Sequence, residues 1–293
     1  MGIKNVIICG LGALGTTYAN ALKNVCNLKI LADKERIKKY RQYPPTLNGK
    51  ALELDFISPE NSWDCDLIII TTKAGGLDSA INYIKNFVVQ NTLIISLVNG
   101  ISSEEQIAEV YGIEKVIRSF FIGHSAMRNG NNTIQDGVGK IILEPCQKIE
   151  EFFNKNNICY EVSDNIQYSQ WVKLGVNIIL NEPSAINKMT VGELRKLPEY
   201  SNLAQNLLNE IKEIAKKVGI KNIESYEAEV LNSANLIADD GKTSMLQDVL
   251  AKRKTEVDIF SGEIIKLGRK YNILTPYNEN IYNEIKELEK DFE

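Results

Sequence analysis

The chain is short of the groups on which much enzyme chemistry rests. His124 is its one histidine in 293 residues, which excludes every mechanism that needs two imidazoles. A metal centre built around it would need a cluster of carboxylates or thiolates, and none stands out at ligand spacing, so no metal is expected. The cysteines, Cys9, Cys26, Cys65, Cys146 and Cys159, are odd in number and contain no C-x-x-C pair. Neither a disulfide framework nor a zinc knuckle can be drawn from them, which favours a reducing cytoplasm. No apolar run approaches the roughly 18 residues of a membrane span, and VIICGLGALG near the start has neither a basic leader nor a small-residue cleavage site. Met1-Gly2 opens like a myristoylation signal, but Val6 stands where Ser or Thr is needed. Positive charge is not in excess either. Lys+Arg 34 against Asp+Glu 38 leaves a net charge of −4, with no general field to hold a nucleic acid or an anionic membrane. The partner class that remains is a small molecule.

What the chain does have is apolar material in two patterns. At 44% hydrophobic and 25% charged over 293 residues, it is long enough for two packed domains. In the first half, apolar runs recur at Asn5 to Cys9, Leu28 to Ala32, Leu67 to Thr71, Leu93 to Val98, Val116 to Ile122 and Lys140 to Leu143. Bounded by turn residues, they read as buried strands. Helical periods at Thr16 to Val25, Leu77 to Phe87 and Ser103 to Val110 separate several of them, the alternation that builds a parallel sheet covered on both faces. Asn48-Gly49 signals an inserted hairpin, and the turn at Asn129 to Asn132 precedes a late strand in GKIILEP. The sheet is therefore expected to end in antiparallel strands. From Tyr168 onward helical periods take over: Gln170 to Leu180, Tyr200 to Val218, Glu227 to Asp239 and Val257 to Tyr271, with Gly219 placed to end a helix. The expected class is α/β, with an α/β domain over residues 1–167 followed by an all-α domain over 168–293. The stripe Val257, Phe260, Ile264, Leu267 packs either on its own domain or on a twin subunit.

The strand KNVIIC runs straight into Gly10-Leu11-Gly12-Ala13-Leu14-Gly15, and TTYANALKNV continues as a helix. Glycines there permit a tight turn and close approach of a pyrophosphate to the backbone, while the N–H groups of the helix start supply counter-charge. A bare G-x-G-x-x-G is weak evidence, with an ordinary glycine turn as the alternative. The strand before it, the helix after it and Asp33 at the end of the next strand complete a Rossmann-type dinucleotide fingerprint. Asp33 would accept from a ribose 2′-hydroxyl and repel a 2′-phosphate, which points toward NAD(H). Equally it is a surface residue opening a turn, and Lys34 and Arg36 suit a phosphate. Two further loops fall at C-terminal strand ends, where open α/β sheets place ligands. Lys73 in TTKA is a candidate for contacting the cofactor or an anionic substrate, and Asn99 in VNG for orienting a nicotinamide or a reacting hydroxyl. Read alone, each is also a solvated turn residue.

In WVKLGVNIILNEPSAI, Lys173 and Asn177 lie four apart and Asn181 one turn further, so they share a face of an otherwise apolar helix. They form either a solvated stripe or the lining of a polar cleft. Gly175 costs about 1 kcal/mol of helix stability against alanine, which implies close packing at that turn. Downstream, Ser244 suits a substrate carboxylate and Glu256 a substrate hydroxyl. The plainer alternative is a helix cap followed by an Arg–Glu surface pair. Tyr111 to Lys115 and Tyr282 to Lys286 have the Tyr-x-x-x-Lys spacing of short-chain dehydrogenases. The glycine spacing is wrong for that family, however, and both tyrosines fall on segments that read as exposed.

Taken together, GLGALG, TTKA at Lys73, VNG at Asn99, GHSA ending at Ala126, WVKLGVNIILN around Lys173 and SMLQDVLAKRKTEVD around Glu256 resemble the ketopantoate reductase (2-dehydropantoate 2-reductase) family over most of the chain. The resemblance implies a Rossmann half and a helical half with the active site in the cleft between them. It also implies NADPH-dependent reduction of ketopantoate to pantoate, on the route to vitamin B5 and coenzyme A. Lys173 is then the general acid, Glu256 a contact to the substrate hydroxyl or cofactor, and Asn177, Asn181 and Ser244 substrate-binding groups. Lys73, Asn99 and Ala126 fall where the family contacts the dinucleotide. Three positions depart from the family habit. Asp33 stands near where NADP-dependent members often carry an arginine, Val191 replaces an asparagine found in some members, and Ser261-Gly262 replaces a frequent Asn-Gly. The resemblance favours NADP(H), whereas Asp33 points to NAD(H).

The chemistry agrees with the role of Lys173. Reduction of a ketone leaves negative charge on its oxygen, and an ammonium at hydrogen-bond distance both neutralises that charge and supplies a proton. With one histidine in the chain, lysine is the better cationic candidate. The expected partners are a small 2-oxo acid and, through the helical domain, a second copy of the chain. Two rivals stand beside this reading: a related dehydrogenase acting on a different 2-oxo acid, and a non-catalytic dinucleotide sensor. A sensor has no need to keep Lys173, Asn177 and Glu256 together.

Overall fold

The computed structural model describes residues 2–123 and 125–292, and the chain divides into two compact units between Ile166 and Gln167. The N-terminal unit opens with β1 (Asn5–Cys9), α1 (Ala13–Leu22), β2 (Asn27–Leu31), α2 (Lys34–Gln42), β3 (Thr46–Leu47), β4 (Lys50–Ala51), β5 (Phe56–Ile57), β6 (Leu67–Ile70) and α3 (Leu77–Tyr83). It continues with β7 (Leu93–Ser96), α4 (Ser103–Tyr111), β8 (Val116–Ile117), β9 (Ser119–Ile122), β10 (Ser125–Asn129), β11 (Asn132–Asp136), β12 (Lys140–Leu143), α5 (Gln147–Lys155) and β13 (Tyr160–Val162).

Six strands form one sheet in the order β5-β2-β1-β6-β7-β8, every neighbouring pair parallel. The chain moves outward from β1 to β2, then crosses back to place β6 on the other side of β1, so the strand order reverses between β1 and β6. That reversal opens a crevice at the carboxyl ends of the two strands. Side-chain alternation explains why the strands read as unbroken apolar runs. Val6, Ile8, Leu67 and Ile69 enter the core on one face, and Ile7, Cys9, Ile68 and Ile70 enter the core on the other. Burial pushes the Cys9 thiol up to about 12, with Arg36 pulling weakly the other way, so this cysteine serves as packing material.

Two expectations are corrected here. Among the described residues the six-stranded sheet contains no antiparallel pair; those pairs belong to two separate small sheets, β10-β11-β3-β4 and β13-β12-β9. Val116 to Ile122 is not one strand. Its first two residues pair with β7, Arg118 N donates to Glu144 Oε1 at 2.8 Å, and Ser119–Ile122 pairs with β12. The turn at Asn129 to Asn132 closes a hairpin of β10 and β11, whose residues SAMRN and NTIQD are too polar to show a strand period.

The helical unit runs from α6 (Ile166–Val176) through a π-helical stretch (Asn177–Asn181) into α7 (Glu182–Asn187) without a break. There follow α8 (Val191–Arg195), α9 (Tyr200–Val218), α10 (Tyr226–Asn235), α11 (Ser244–Leu250), a 3-10 turn (Val257–Ile259), α12 (Ser261–Tyr271) and α13 (Pro276–Lys290). The α9 stripe Ala204, Leu207, Leu208, Ile211, Ile214 and Ala215 is buried at three- and four-residue spacing, and Gly219 ends the helix at φ 93°. Val257 to Tyr271 is not one helix, because the backbone breaks at Phe260 (φ −106°, ψ −103°) between the 3-10 turn and α12. The apolar stripe through Phe260 and Ile264 packs within its own unit, where α12 meets α9 and α13. Gly175 is closely packed as expected: a Cβ there would lie 2.4 Å from the hydroxyl of Tyr226, which donates to the Trp171 carbonyl at 3.1 Å. Among the described residues, no helix is long and apolar enough to cross a membrane.

Candidate active site

β1 ends at Cys9 and the chain turns at Gly10 with φ 107°, a conformation that side chains rarely adopt. A Cβ on Gly10 would lie 2.7 Å from Thr72 N, and one on Gly15 would lie 1.9 Å from the Gly10 carbonyl oxygen. The loop itself therefore demands these two glycines. Gly12 is different, because a Cβ there would meet nothing nearer than Thr71 O at 4.0 Å. The space above it is open. Gly12 is also the N-cap of α1, with no side-chain cap and no acidic residue in the first turn. Thr16 N donates to Gly12 O at 3.0 Å, so the N–H groups of Ala13, Leu14 and Gly15 have no acceptor within the helix. An open cradle at the positive end of a helix suits a dinucleotide diphosphate, with Leu11 buried beside it. Thr71 locks the loop in place: its N–H donates to Cys9 O at 2.9 Å and its hydroxyl to Gly10 O. Nothing in the spacing of TTKA marks Thr71 for this role.

The other dinucleotide candidates sort by strand. Asp33 follows β2, Lys73 follows β6 and Asn99 follows β7, so with Gly10 they lie at the carboxyl ends of four contiguous parallel strands. Lys73 is exposed at the start of a 3-10 turn, and Asn99 is half-buried. Asp33 has the turn-opening role: its Oδ1 accepts from Arg36 N at 2.7 Å as the N-cap of α2, and Arg36 Nε lies 3.4 Å from Oδ2. The carboxylate thus faces its own guanidinium. Ala126 lies on β10 opposite Gln135, in a small sheet that packs on α1 and does not belong to the six strands. His124, in the same GHSA motif, lies outside the described residues.

In the helical unit, the structure brings three expected residues into one row. Asn181 Nδ2 donates to Asn177 Oδ1 at 3.3 Å and lies 3.4 Å from Ser244 Oγ. Lys173, half-buried, stands one helical turn before Asn177 on the same continuous helix. The stretch between the two asparagines is π-helical, a widened turn that sequence periodicity did not show. A signal for it was present. Pro183 has no N–H to return to the carbonyl of Ile179, which weakens the α-helical ladder across those residues.

Glu256 is half-buried at the head of the 3-10 turn, where Ile259 N donates to its carbonyl at 3.1 Å. The cap in this region is Thr243, which accepts from Leu246 N at 3.2 Å, and Arg253 pairs with Asp248 at 2.9 Å. The two Tyr-x-x-x-Lys tyrosines are half-buried rather than exposed: Tyr111 donates to Ile81 O, and Tyr282 to Asp258 Oδ1 at 2.9 Å. Sequence reading also missed Glu182. It is fully buried, and Ser261 N donates to its Oε1 at 3.1 Å while the Ser261 hydroxyl donates to Oε2. Burial pushes this carboxyl up to about 8, even though the two hydrogen bonds from Ser261 pull it down.

A parallel sheet whose order reverses beside a glycine loop, followed by an all-helical unit, is the arrangement expected of a nicotinamide-dinucleotide-dependent oxidoreductase, and the family and relatives that match the chain belong to that class. The chain belongs to the ketopantoate reductase family: the model of ketopantoate reductase PanE/ApbA matches residues 6–148, and that of its C-terminal part matches residues 165–289. A 2-dehydropantoate 2-reductase of Aquifex aeolicus (strain VF5) is 28% identical, with 98% of this chain and 97% of that protein covered. One from Pyrococcus horikoshii is 27% identical, with 97% of each covered. Among solved structures, a PanE/ApbA family ketopantoate reductase from Ralstonia eutropha JMP134 has a TM-score of 0.84 at 20% identity, covering 98% of this chain and 99% of that one. D-mandelate dehydrogenase with NADH and anilino(oxo)acetate has a TM-score of 0.87 at 23% identity, covering 98% of both chains. At these identities the likeness to the solved structures is one of fold.

Proposed function

We propose that the chain reduces ketopantoate to pantoate with NADPH and that Lys173 is the general acid. The reading is carried by the row Asn177, Asn181 and Ser244, one helical turn from Lys173, which stands in the otherwise apolar stretch Trp171 to Leu180. Gly10, Gly12, Gly15 and the N–H groups of Ala13 and Leu14 hold the diphosphate, with Leu11 packed beside them. Lys73, Asn99 and Ala126 complete the contacts to the dinucleotide. When bound, the nicotinamide supplies a hydride to the carbonyl carbon of the oxo acid. Lys173 gives its proton to the carbonyl oxygen as negative charge develops there. Asn177, Asn181 and Ser244 bind the oxo acid, and Glu256 accepts from its hydroxyl.

NADPH is favoured over NADH because the Asp33 carboxylate is engaged by the α2 cap and by Arg36, which weakens its repulsion of a 2′-phosphate. The same reading takes the enzyme to act in the cytoplasm as a dimer joined through its helical units.

Lys173→Ala tests the assignment. Turnover of ketopantoate should fall about 100- to 10,000-fold while dinucleotide binding, followed by fluorescence, stays at the parental level. Turnover near the parental rate would remove Lys173 from the chemistry. Ketopantoate should also give the highest kcat/KM in a panel of 2-oxo acids. A better substrate from that panel would reassign the oxo acid within the same reaction.

A further inference from the structure

The segment that carries Glu256 is held at both ends by a carboxylate, and the two attachments have the same design. At the upstream end, Thr255 N and Thr255 Oγ1 both donate to Glu289 Oε1, each at 2.7 Å. At the downstream end, Ser261 N and the Ser261 hydroxyl both donate to Glu182. In each case one carboxyl group takes the backbone N–H and the hydroxyl of a single residue, which fixes the backbone as well as the side chain. All four residues are shielded. Thr255, Ser261 and Glu182 are buried, and the Glu289 side chain is only 11% exposed. Between the two attachments run Glu256 and the 3-10 turn Val257–Ile259.

The partners of the clamp are the elements that matter to the proposed site. Glu182 follows Asn181 directly, so the downstream attachment ties the Glu256 segment to the helix that bears Asn177 and Asn181. Glu289 lies on α13 and is itself oriented by Lys286, whose Nζ donates to Oε2 at 2.8 Å. Burial alone would raise the Glu289 carboxyl, but the hydrogen bonds from Lys286 and Thr255 outweigh it and hold the group below the ordinary carboxylate range. It therefore stays ionised, as an acceptor of three donated bonds should. Tyr282 and Lys286 secure the turn a second time through Asp258, at 2.9 and 3.6 Å.

We propose that Glu289 and Glu182 are positioning residues, which hold the two ends of the Thr255–Ser261 segment so that Glu256 keeps a fixed place relative to Asn177 and Asn181. The inference rests on the reading of Glu256 as a substrate contact.

Amide hydrogen exchange and a mutant cycle test it together. In Glu289→Ala, and in Ser261→Ala, which removes one arm of the Glu182 attachment without placing a cavity at the carboxylate, amides of residues 255–261 should exchange faster while those of α9 do not. Unchanged exchange in that segment would overturn the clamp whatever Glu256 does. In steady-state kinetics, Glu289→Ala should raise KM for the oxo acid about tenfold and leave the fluorescence-measured Kd for dinucleotide alone, and Glu289→Gln, which keeps an acceptor oxygen, should recover most of the loss. Added to Glu256→Ala, Glu289→Ala should have no further effect on that KM. Effects that multiply would show that Glu289 acts elsewhere and would also overturn the proposal. If Glu256→Ala by itself leaves KM unchanged, the reading of Glu256 has failed, and the exchange result alone decides whether the segment is clamped.

Discussion

The buried carboxyl of Glu182 makes the stability of the helical unit depend on pH in an unusual direction. In the unfolded chain this glutamate titrates near the ordinary 4.5, whereas in the folded chain burial moves it to about 8. Between those values the folded chain holds a proton that the unfolded chain has released. Its contribution is therefore complete below pH 4.5 and is lost as the pH rises toward 8. The interval is about 3.5 pH units, and at about 1.4 kcal/mol per unit the loss amounts to about 5 kcal/mol. Glu182→Gln has nearly the same shape, keeps an oxygen for Ser261 N and cannot ionise. Urea unfolding of both proteins from pH 5 to 8.5 gives the comparison, because every other titrating group cancels in the difference. The chain has two tryptophans, so a Trp63→Phe background leaves buried Trp171 to report the helical unit alone. The variant should gain on the parent steadily as the pH rises, by several kcal/mol between pH 5 and 8. Parallel curves would refute the reasoning, since they would mean that Glu182 loses its proton equally easily in both states.

Gly175→Ala should destabilise the helical unit by about 2 to 4 kcal/mol despite alanine's better helix propensity, since the added Cβ would lie 2.4 Å from the Tyr226 hydroxyl and displace its bond to Trp171 O. Pairing it with Tyr226→Phe should recover part of that loss in urea unfolding. Asp33→Ala should cost about 1 kcal/mol through loss of the α2 cap and shift the ratio of Michaelis constants further toward NADPH; an unchanged ratio would mean that Asp33 plays no part in cofactor choice.

The parts of the fold that could be read from the sequence are those whose burial leaves a complete pattern. β1, β6 and β7 are buried on both faces, so their apolar runs have no polar interruptions to confuse them with amphipathic helix. β10 and β11 have the opposite character, with Met127 and Ile134 both exposed, and pairing alone makes them strands. The break at Arg118 was hidden for a related reason. It is set by the distant carboxylate of Glu144, and nothing in VIRSFFI announces it.

The same division runs through the candidate site. Gly10 to Gly15 and the face shared by Lys173, Asn177 and Asn181 are local arrangements, so spacing along the chain suffices to find them. The bonds from Asn181 to Ser244, from Ser261 to Glu182 and from Thr255 to Glu289 join residues 63, 79 and 34 positions apart, and only packing of the helices decides them. Glu182 is the sharpest case. As a charged residue after Asn181 and before a proline, it reads as the solvated first turn of a helix, where a negative charge is ordinarily favoured. Its complete burial reverses that reading, because a carboxylate without a cation beside it is expensive to desolvate and becomes tolerable only as the neutral acid or as the acceptor of donated hydrogen bonds. A polar residue on an apolar helix is thus no guide to a cleft by itself. It becomes one when the donors around it are known, and in this unit those donors come from the segment that also carries Glu256.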